Sequence, residues 1–183
     1  MLEFCIGGGI GIAPAYPIIK GMKEAGNKVI SIIGARSKNL IFLENEIKEK
    51  SDETIICTDD GSYGRKDLVT IPLKEICERE EKSNLVIAIG PAIMMKFCAQ
   101  TTKPFEIKTL VSLNTIMVDG TGMCGGCRVT IGKETKFVCV DGPEFDGHLV
   151  DFDNMIKRLG TYKNFEEKAH KCYLDTALEK DKN

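Results

Sequence analysis

The chain has 183 residues, 43% of them hydrophobic and 28% charged, which is the composition of a folded globular protein rather than a disordered one. A chain of this length buries roughly 70% of its unfolded surface on folding, so a small fold that depends on disulfides is excluded. The net charge of -2 provides no excess of basic residues, which argues against nucleic acid or an anionic membrane as the partner.

Short apolar runs alternate with helical patterns as far as about residue 111, which is typical of repeated strand–helix units and a parallel sheet. Five runs rich in Val, Ile and Leu predict strands buried on both faces: residues 2–6, 28–33, 54–57, 85–89 and 107–111. Four segments between them predict helices: residues 15–24, 40–50, 73–80 and 92–101. With right-handed crossovers this is an α/β fold, a five-stranded parallel doubly wound sheet that binds ligands at the carboxyl ends of its strands.

The character of the sequence changes near residue 112. Residues 112–131 are rich in Gly and Thr, and the alternating segments 129–131 and 136–138 predict a β-hairpin around residues 132–135. Residues 153–159 and 164–178 have helical patterns. We therefore expect three parts: a sheet domain over residues 1–111, a small loop-rich module over residues 112–160 and a C-terminal helix over residues 161–183.

A glycine-rich turn follows the first predicted strand directly and leads into a helix. It reads GGGIGIAP over residues 7–14. Such glycines let the backbone turn sharply and approach a phosphate, whose negative charge is stabilised by the free N–H groups at a helix N-terminus. The spacing is not G-x-G-x-x-G, because Ile12 takes the place of the third glycine, and no Gly-Lys-Ser/Thr of a P-loop follows. A tight strand–helix turn without a ligand is the alternative.

Three further loops fall at the carboxyl ends of predicted strands, where this sheet would present a ligand. They cover residues 34–37, 58–62 and 90–92. Together the loops resemble the nicotinamide-nucleotide domain of the ferredoxin reductase family, which uses a G-G-x-G-x-x-P turn and a later Gly-Pro before a helix carrying Met. The resemblance implies that the first loop binds pyrophosphate, the second the adenosine end, and the last two the nicotinamide end. The implied cofactor-binding residues are Gly8, Gly9, Ile10, Gly11, Ile12, Ala13, Pro14, Ala35, Arg36, Ser37, Asp59, Asp60, Gly61, Ser62, Gly90, Pro91 and Met94.

The position of Arg36 leaves the choice between NAD(H) and NADP(H) open. No acidic residue stands there to bind the ribose hydroxyls of NAD, whereas an arginine meets a 2′-phosphate or stacks on adenine. An ordinary solvated surface charge is the alternative.

The eight cysteines raise the question of the redox compartment. No apolar run approaches the roughly 20 residues that a bilayer-spanning helix needs, and residues 1–6 lack the zones of a signal peptide. We therefore expect a cytoplasmic protein, in which thiols stay reduced and some cysteines hold metal. Most of them, including Cys5, Cys57, Cys77 and Cys98, lie in apolar patterns and are expected to be small buried hydrophobes.

Three cysteines are clustered. Cys124, Cys127 and Cys139 form the pattern C-x2-C-x11-C. A plant-type [2Fe-2S] site has an additional ligand five residues before the C-x2-C pair, and that position is Asp119, whose carboxylate can ligate iron. Zinc held by the three thiolates and His148 is the main alternative, and a disulfide or an unliganded set is a further one.

Residues 118–130 and 137–148 give a closer family match. They resemble the small flavin- and cluster-bearing subunit of NADH-dependent ferredoxin:NADP oxidoreductase, also called sulfide dehydrogenase, and the electron-transfer subunit of NAD-linked dihydroorotate dehydrogenase. In the latter the first ligand is normally Cys, so Asp119 favours the former. The resemblance implies that Asp119, Cys124, Cys127 and Cys139 are the metal ligands of a [2Fe-2S] cluster.

The same resemblance implies an oxidoreductase subunit in which electrons pass between NAD(P)H, FAD and the cluster toward a larger catalytic or flavin/iron–sulfur partner subunit. No residue of this chain is then required as an acid, base or nucleophile. The electron-transfer subunit of dihydroorotate dehydrogenase, in pyrimidine biosynthesis, is the alternative within redox chemistry. A nucleotide-binding module with a structural zinc site is the alternative of another class.

The flavin raises a separate expectation. In the family that the sequence resembles, an antiparallel barrel precedes the nucleotide domain and supplies most flavin contacts, whereas here the first predicted strand begins at Leu2. We expect a fragment, a truncated reading frame or a barrel supplied by another chain, and therefore weak or absent flavin binding by this chain alone. A stoichiometric flavin spectrum from the purified chain would contradict that expectation.

Overall fold

The structure is a computed structural model that describes residues 1–81 and 83–180, with side chains described as far as residue 173. Its strands are β1 (Leu2–Gly8), β2 (Lys28–Ala35), β3 (Glu53–Thr58), β4 (Leu85–Ile89), β5 (Lys108–Ser112), β6 (Arg128–Ile131), β7 (Glu134–Phe137) and β8 (Glu144–Asp146). Its helices are α1 (Ile12–Glu24), α2 (Glu44–Lys50), α3 (Thr70–Cys77), α4 (Ala92–Thr102), α5 (Val138–Asp141), α6 (Phe152–Leu159) and α7 (Lys163–Lys180).

The main sheet has the strand order β3-β2-β1-β4-β5-β8, and its first five strands are parallel. The predicted five-stranded parallel sheet is thus confirmed. The sixth strand, β8, pairs antiparallel with the outer edge of β5 and was not predicted. It has only three residues, which is too short for an alternating pattern to be recognised in the sequence. The strand order reverses between β1 and β4, and the ligand-binding crevice of such sheets lies at that point.

Helices cover both faces of the sheet, as a doubly wound fold requires. The strand β2 shows why: Val29 and Ile33 pack in the core formed with α1 and α2, whereas Ile30 and Ile32 pack in the core formed with α3, α4 and α6. All four side chains are buried, so the run has no polar alternation. Ser31, also buried, satisfies its hydroxyl through a 2.6 Å hydrogen bond with the hydroxyl of Ser51.

Three predicted helices have different limits in the structure. The helix α1 begins at Ile12 rather than at residue 15. The helix α2 begins at Glu44 rather than at residue 40, because Leu43 has a left-handed backbone with φ of 55° that separates it from a short turn over Lys38–Leu40. The helix α3 begins three residues earlier than predicted and ends at Cys77, with Pro72 in its first turn, where proline is tolerated.

The second half of the chain contains the predicted hairpin, β6–β7, with a two-residue connection in which Gly132 has φ of 61°. Its second strand ends at Phe137, since Val138 begins the short helix α5. The helix α6 is capped by the Asp151 carboxylate, which accepts the Asn154 amide at 3.0 Å. The helix α7 matches the predicted C-terminal helix, while residues 181–183 of that prediction lie outside the described residues. The proposed division of the chain at residues 112 and 161 stays a prediction.

None of the helices in the described ranges is long and apolar enough to cross a membrane.

The carboxylate of Asp52 ties the segment before β3 to β2 and α1. It accepts hydrogen bonds from the Lys23 ammonium at 2.7 Å and from the Val29 amide at 2.8 Å. These two donors, the ammonium first, hold the pKa of Asp52 below its usual value. The folded protein therefore binds this proton less readily than the unfolded chain. The resulting stabilisation is present above the pKa of the unfolded chain and is lost as the pH falls through the lowered pKa.

We expect Asp52→Asn to lower the free energy of unfolding at neutral pH by at most about 1 kcal/mol, because Lys23 loses a charged acceptor in a pair that solvent screens. The difference from the unmodified protein should shrink in acid, where Asp52 is protonated in both states. Urea unfolding at neutral and acid pH measures this. The control is Glu49→Gln on the exposed surface of α2, where the described residues provide no hydrogen bond or ion pair to the carboxylate. Equal effects of the two substitutions would contradict the assignment.

Candidate functional site

The glycine-rich turn lies against the end of β4. The strand β1 ends at Gly8, a single 3-10 turn covers Gly9–Gly11, and α1 begins at Ile12. A Cβ atom on Gly11 would lie 2.3 Å from the carbonyl oxygen of Ile89, so only glycine allows this approach. Gly9 has φ of 55°, and a Cβ there would meet open space. The turn is thus held in place by the backbone contact of Gly11 with Ile89, whereas the space at Gly9 is open.

The turn after β4 completes the cradle. A Cβ on Gly90 would lie 2.9 Å from the Gly8 carbonyl oxygen, and a Cβ on Gly8 would lie 2.2 Å from the sulfur of Met94. The predicted residues Gly8, Gly11, Gly90 and Met94 are therefore in contact where the strand order reverses. A glycine-rich backbone surface at the N-terminus of α1 suits a phosphate-bearing ligand.

The predicted loop residues differ in what they can offer a ligand. The side chain of Ile12 is fully buried in the core beneath α1, and Pro14 has no N–H to donate. Ile10 lies at the exposed tip of the turn.

Hydrogen bonds join the loops that follow β2 and β3. The amides of Asp59 and Asp60 donate to the carbonyls of Ala35 and Arg36, both at 3.1 Å. The Ser62 hydroxyl accepts the amide of Lys38 at 2.8 Å. These two predicted loops therefore form one surface at the carboxyl edge of the sheet.

The charges on this surface have opposite signs. The Ser62 hydroxyl and amide hold the pKa of Asp60 below its usual value, so this carboxylate is charged at neutral pH. Arg36 is exposed, and the ammonium of Lys38 lies 5.1 Å from the centre of the Tyr63 ring. Lys38 was not predicted as a site residue, although its place two residues after Arg36 was a signal that could have indicated a second cation here.

The cysteine-bearing loop is shaped by glycines with positive φ: Gly120 at 75°, Gly122 at 83° and Gly125 at 64°. The sulfurs of Cys127 and Cys139 lie 3.2 Å apart. Backbone amides surround the sulfurs, since Cys139 N–H points at the Cys127 sulfur at 3.5 Å and Gly126 N–H donates to the Cys124 sulfur at 3.3 Å.

Asp119 is the fourth predicted ligand. Its two carboxylate oxygens accept the amides of Thr121 at 2.8 Å and Cys124 at 2.9 Å. The pKa of Asp119 lies below its usual value. The hydrogen bond from the Thr121 amide contributes most to this shift, and contacts with Cys124 add to it, so the carboxylate is charged at neutral pH. The carboxylate thus belongs to the same loop as Cys124 and Cys127 and is ionised, as a metal ligand must be.

The donor set fits an iron–sulfur cluster in its chemistry. Neighbouring thiols with amide N–H donors around them are the protein environment of such clusters, and a carboxylate is an anionic oxygen donor. The neighbouring sulfur raises the pKa of the Cys139 thiol, the hydrogen bond between Cys139 and Cys127 contributing most. Within residues 1–81 and 83–180, however, no three His, Cys, Asp or Glu side chains are grouped closely enough to hold a single metal ion.

His148 lies in a different environment. Its Nε2 is 3.0 Å from the hydroxyl of Thr102 in α4, and that hydroxyl is 2.6 Å from the hydroxyl of Thr109 in β5. The ring therefore joins α4, β5 and the segment after β8, which is a packing role.

Four other cysteines lie in the core, as predicted. Burial raises the pKa of Cys5 and of Cys98 to about 12, and it raises the pKa of Cys57 and of Cys77 to about 11. These thiols are uncharged at neutral pH and behave as small apolar groups.

Two arginines contact the cysteine loop and were not predicted. Arg128 donates to the carbonyl oxygen of Gly125 and Arg158 to that of Gly126, each at 3.0 Å. No sequence motif marks them, because their partners are backbone carbonyls and Arg158 is remote in sequence.

The fold and these loops define a class, a dinucleotide-binding α/β domain followed by a cysteine-bearing loop module. The chain belongs to the oxidoreductase NAD-binding domain family, whose profile matches residues 5–100. Residues 114–151 match the iron–sulfur cluster binding domain of dihydroorotate dehydrogenase B.

Individual relatives agree with this assignment. The dihydroorotate dehydrogenase B (NAD(+)) electron transfer subunit homolog of Thermotoga maritima is 49% identical over 176 residues, covering 96% of this chain and 62% of the relative. The corresponding subunit of Streptococcus pneumoniae serotype 4 is 31% identical over 143 residues, covering 76% of this chain and 55% of the relative.

Among solved structures, a chain of the NADH-dependent reduced ferredoxin-NADP oxidoreductase, studied for flavin-based electron bifurcation, matches with a TM-score of 0.86. It is 44% identical, and the match covers 95% of this chain and 63% of that chain. The present chain therefore spans less than two thirds of the length of these relatives.

The close approach of the first turn to β4 gives a testable steric difference. We expect Gly11→Ala to lower the free energy of unfolding by roughly 1–3 kcal/mol, because the added methyl group meets the rigid Ile89 carbonyl. Gly8→Ala should cost less, since its methyl group meets the movable end of Met94. Neither glycine has a positive φ, so alanine tests space alone. Urea unfolding of both variants measures the difference, and a larger loss for Gly8→Ala would contradict the packing described.

Proposed function

We propose that this chain is the NAD(P)-binding and [2Fe-2S]-bearing part of an electron-transfer oxidoreductase subunit. The observation that carries the proposal is the occurrence of two modules in one chain. One has a backbone cradle at the strand-order reversal. The other has the charged Asp119 on the same loop as Cys124 and Cys127, with the sulfur of Cys139 in α5 3.2 Å from that of Cys127.

The nicotinamide nucleotide is proposed to bind along the carboxyl edge of the sheet. The turn of Gly8 to Gly11 would hold the pyrophosphate, and the Arg36 loop the adenosine end. The loops containing Asp59 and Gly90 would hold the nicotinamide end. The cradle supports this assignment because Gly8, Gly9 and Gly11 carry no side chain, and the space at Gly9 is open directly before the N-terminus of α1.

The cluster is proposed to be held by Asp119, Cys124, Cys127 and Cys139. A nicotinamide gives up two electrons together as hydride and a [2Fe-2S] centre carries one, so FAD is proposed as the group that connects them. We assign no residue of this chain to the flavin, and weak flavin binding by the chain alone stays a prediction.

Two kinds of larger partner subunit are candidates. The Thermotoga and Streptococcus relatives are named as electron transfer subunits of dihydroorotate dehydrogenase B, which favours that partner as the second candidate. Asp119 and the 44% identical solved structure favour a partner of the ferredoxin-NADP oxidoreductase type. Identification of the larger subunit that co-purifies with the chain separates the two. A cytoplasmic location is proposed because thiolate ligands must remain reduced.

The cluster assignment predicts two irons and two acid-labile sulfides per chain in anaerobically purified protein, with a visible absorption spectrum. Asp119→Cys should keep the cluster and change its reduction potential, whereas Asp119→Ala should make the cluster labile. Iron and sulfide assays with EPR of the reduced protein measure both effects.

The matched control is Cys77→Ala, which removes a core thiol far outside the proposed ligand set and should leave iron content unchanged. Zinc at one atom per chain without visible absorption would contradict the cluster and support the structural-zinc alternative. Unchanged iron content and an unchanged EPR spectrum in both Asp119 variants would remove Asp119 from the ligand set.

The nucleotide assignment predicts that Gly9→Asp weakens NADH and NADPH binding at least about tenfold, because it puts a negative charge where the pyrophosphate is proposed to lie. The control is Gly26→Asp. Like Gly9, Gly26 has a positive φ with open space at Cβ, but it lies in the turn before β2, at the opposite edge of the sheet. Calorimetric titration of both variants measures affinity. Equal affinities in the two variants would contradict the cradle.

A further inference from the structure

Two guanidinium groups from different elements hold successive carbonyls of the cysteine loop. Arg128 at the start of β6 donates from Nη1 to the Gly125 oxygen at 3.0 Å, and its own amide reaches the same oxygen at 3.3 Å. Arg158 of α6 donates from Nη2 to the Gly126 oxygen at 3.0 Å. Two positively charged side chains therefore bind the carbonyl oxygens of the peptide groups between Cys124 and Cys127.

One of these peptide groups connects an arginine to a proposed ligand. The Gly125 carbonyl and the Gly126 amide belong to the same peptide group, and that amide donates to the Cys124 sulfur at 3.3 Å. A cation on the oxygen polarises the peptide group and makes its N–H a stronger donor. Arg128 thus acts on the Cys124 sulfur through a single peptide group without touching it.

The position of Arg158 is set by the packing of α6. Phe152 and Met155 of this helix are buried in the core, and the Asp151 amide donates to the Thr130 carbonyl of β6 at 2.9 Å. Arg158 follows Met155 by three residues and so lies on the neighbouring part of the same face. A rigid helix, rather than a mobile loop, therefore presents this guanidinium group.

The two charges are not neutralised by neighbouring carboxylates. Across the described part of the chain, no ion pair involves Arg128, Arg158 or the adjacent Lys157. Lys157 lines the same groove between the hairpin and α6 but makes no hydrogen bond to the loop within that part of the chain. It carries the same charge nearby without the contact, which makes it a natural control.

We propose that Arg128 and Arg158 are positioning residues for the cluster, which fix the peptide groups of the Cys124–Cys127 loop and raise the reduction potential of the metal centre. The inference rests on the proposed function, since it requires a cluster on this loop. One-electron reduction adds negative charge to the cluster, so nearby cations and N–H donors to sulfur stabilise the reduced form more than the oxidised form.

The experiment is an anaerobic dithionite titration, with redox mediators and EPR detection, of the full chain and its variants Arg128→Met, Arg158→Met, Arg158→Lys and Lys157→Met. Iron and sulfide are assayed in every sample. We expect both Arg→Met variants to shift the midpoint potential to more negative values than Lys157→Met does. Arg158→Lys, which keeps the charge but not the planar donor geometry, should fall between Arg158→Met and the unmodified protein.

The outcomes separate the two levels of the argument. If the unmodified chain holds no iron and sulfide, the proposed function fails. If it holds the cluster but the Arg→Met shifts do not exceed that of Lys157→Met, only general charge acts and the positioning role is overturned. Hydrogen–deuterium exchange of residues 124–128 provides a second readout, which should accelerate in Arg158→Lys. If Arg158→Lys changes neither the exchange rates nor the midpoint potential, the inference is overturned. This readout remains decisive if an Arg→Met variant loses its cluster.

Discussion

The contact between the first turn and the end of β4 is the constraint on which the remaining arrangement depends. Gly11 and Gly90 bring two backbone segments closer than any side chain would permit. Because α1 begins immediately after one segment and α4 immediately after the other, this contact brings the N-termini of both helices to the same point of the sheet. The sheet reverses its strand order there, so the cradle is a consequence of the topology and of the absence of two Cβ atoms.

The helix α4 connects this contact to the cysteine-bearing half of the chain. Near its start, Met94 packs on Gly8, and two residues later Lys96 forms an ion pair with Asp153 of α6 at 2.6 Å. The helix α6 in turn presents Arg158 to the cysteine loop. The strand β8 adds a second connection, since it extends the main sheet from within the cysteine-bearing half of the chain. The cradle and the cysteine loop are therefore built on one packed framework.

The sequence predicted those features that depend on local pattern. Runs such as residues 85–89 predicted strands because a strand buried on both faces needs no polar alternation, and the glycine turn was predicted from its own composition. Features set by tertiary contacts were missed. The start of α2 depends on the left-handed Leu43, β8 depends on the free edge of β5, and the arginines depend on carbonyls that have no sequence signature. The ligand set could be predicted only from spacing, since spacing determines which loop carries the donors but not how they surround a metal.

An aspartate at position 119 would supply an oxygen ligand without changing the total charge of the proposed ligand set. A carboxylate and a thiolate each carry one negative charge, so exchanging one for the other leaves the charge around a cluster unchanged. What differs is the hydrogen bonding, because both Asp119 oxygens accept backbone amides of the loop. Coordination through one oxygen would leave the other to keep an amide contact, so the carboxylate can serve as ligand and loop anchor together. If the cluster is bound as proposed, the positive charges of Arg128 and Arg158 would compensate its negative charge in either case. Their effect on the potential is for that reason expected to be independent of the identity of the first ligand.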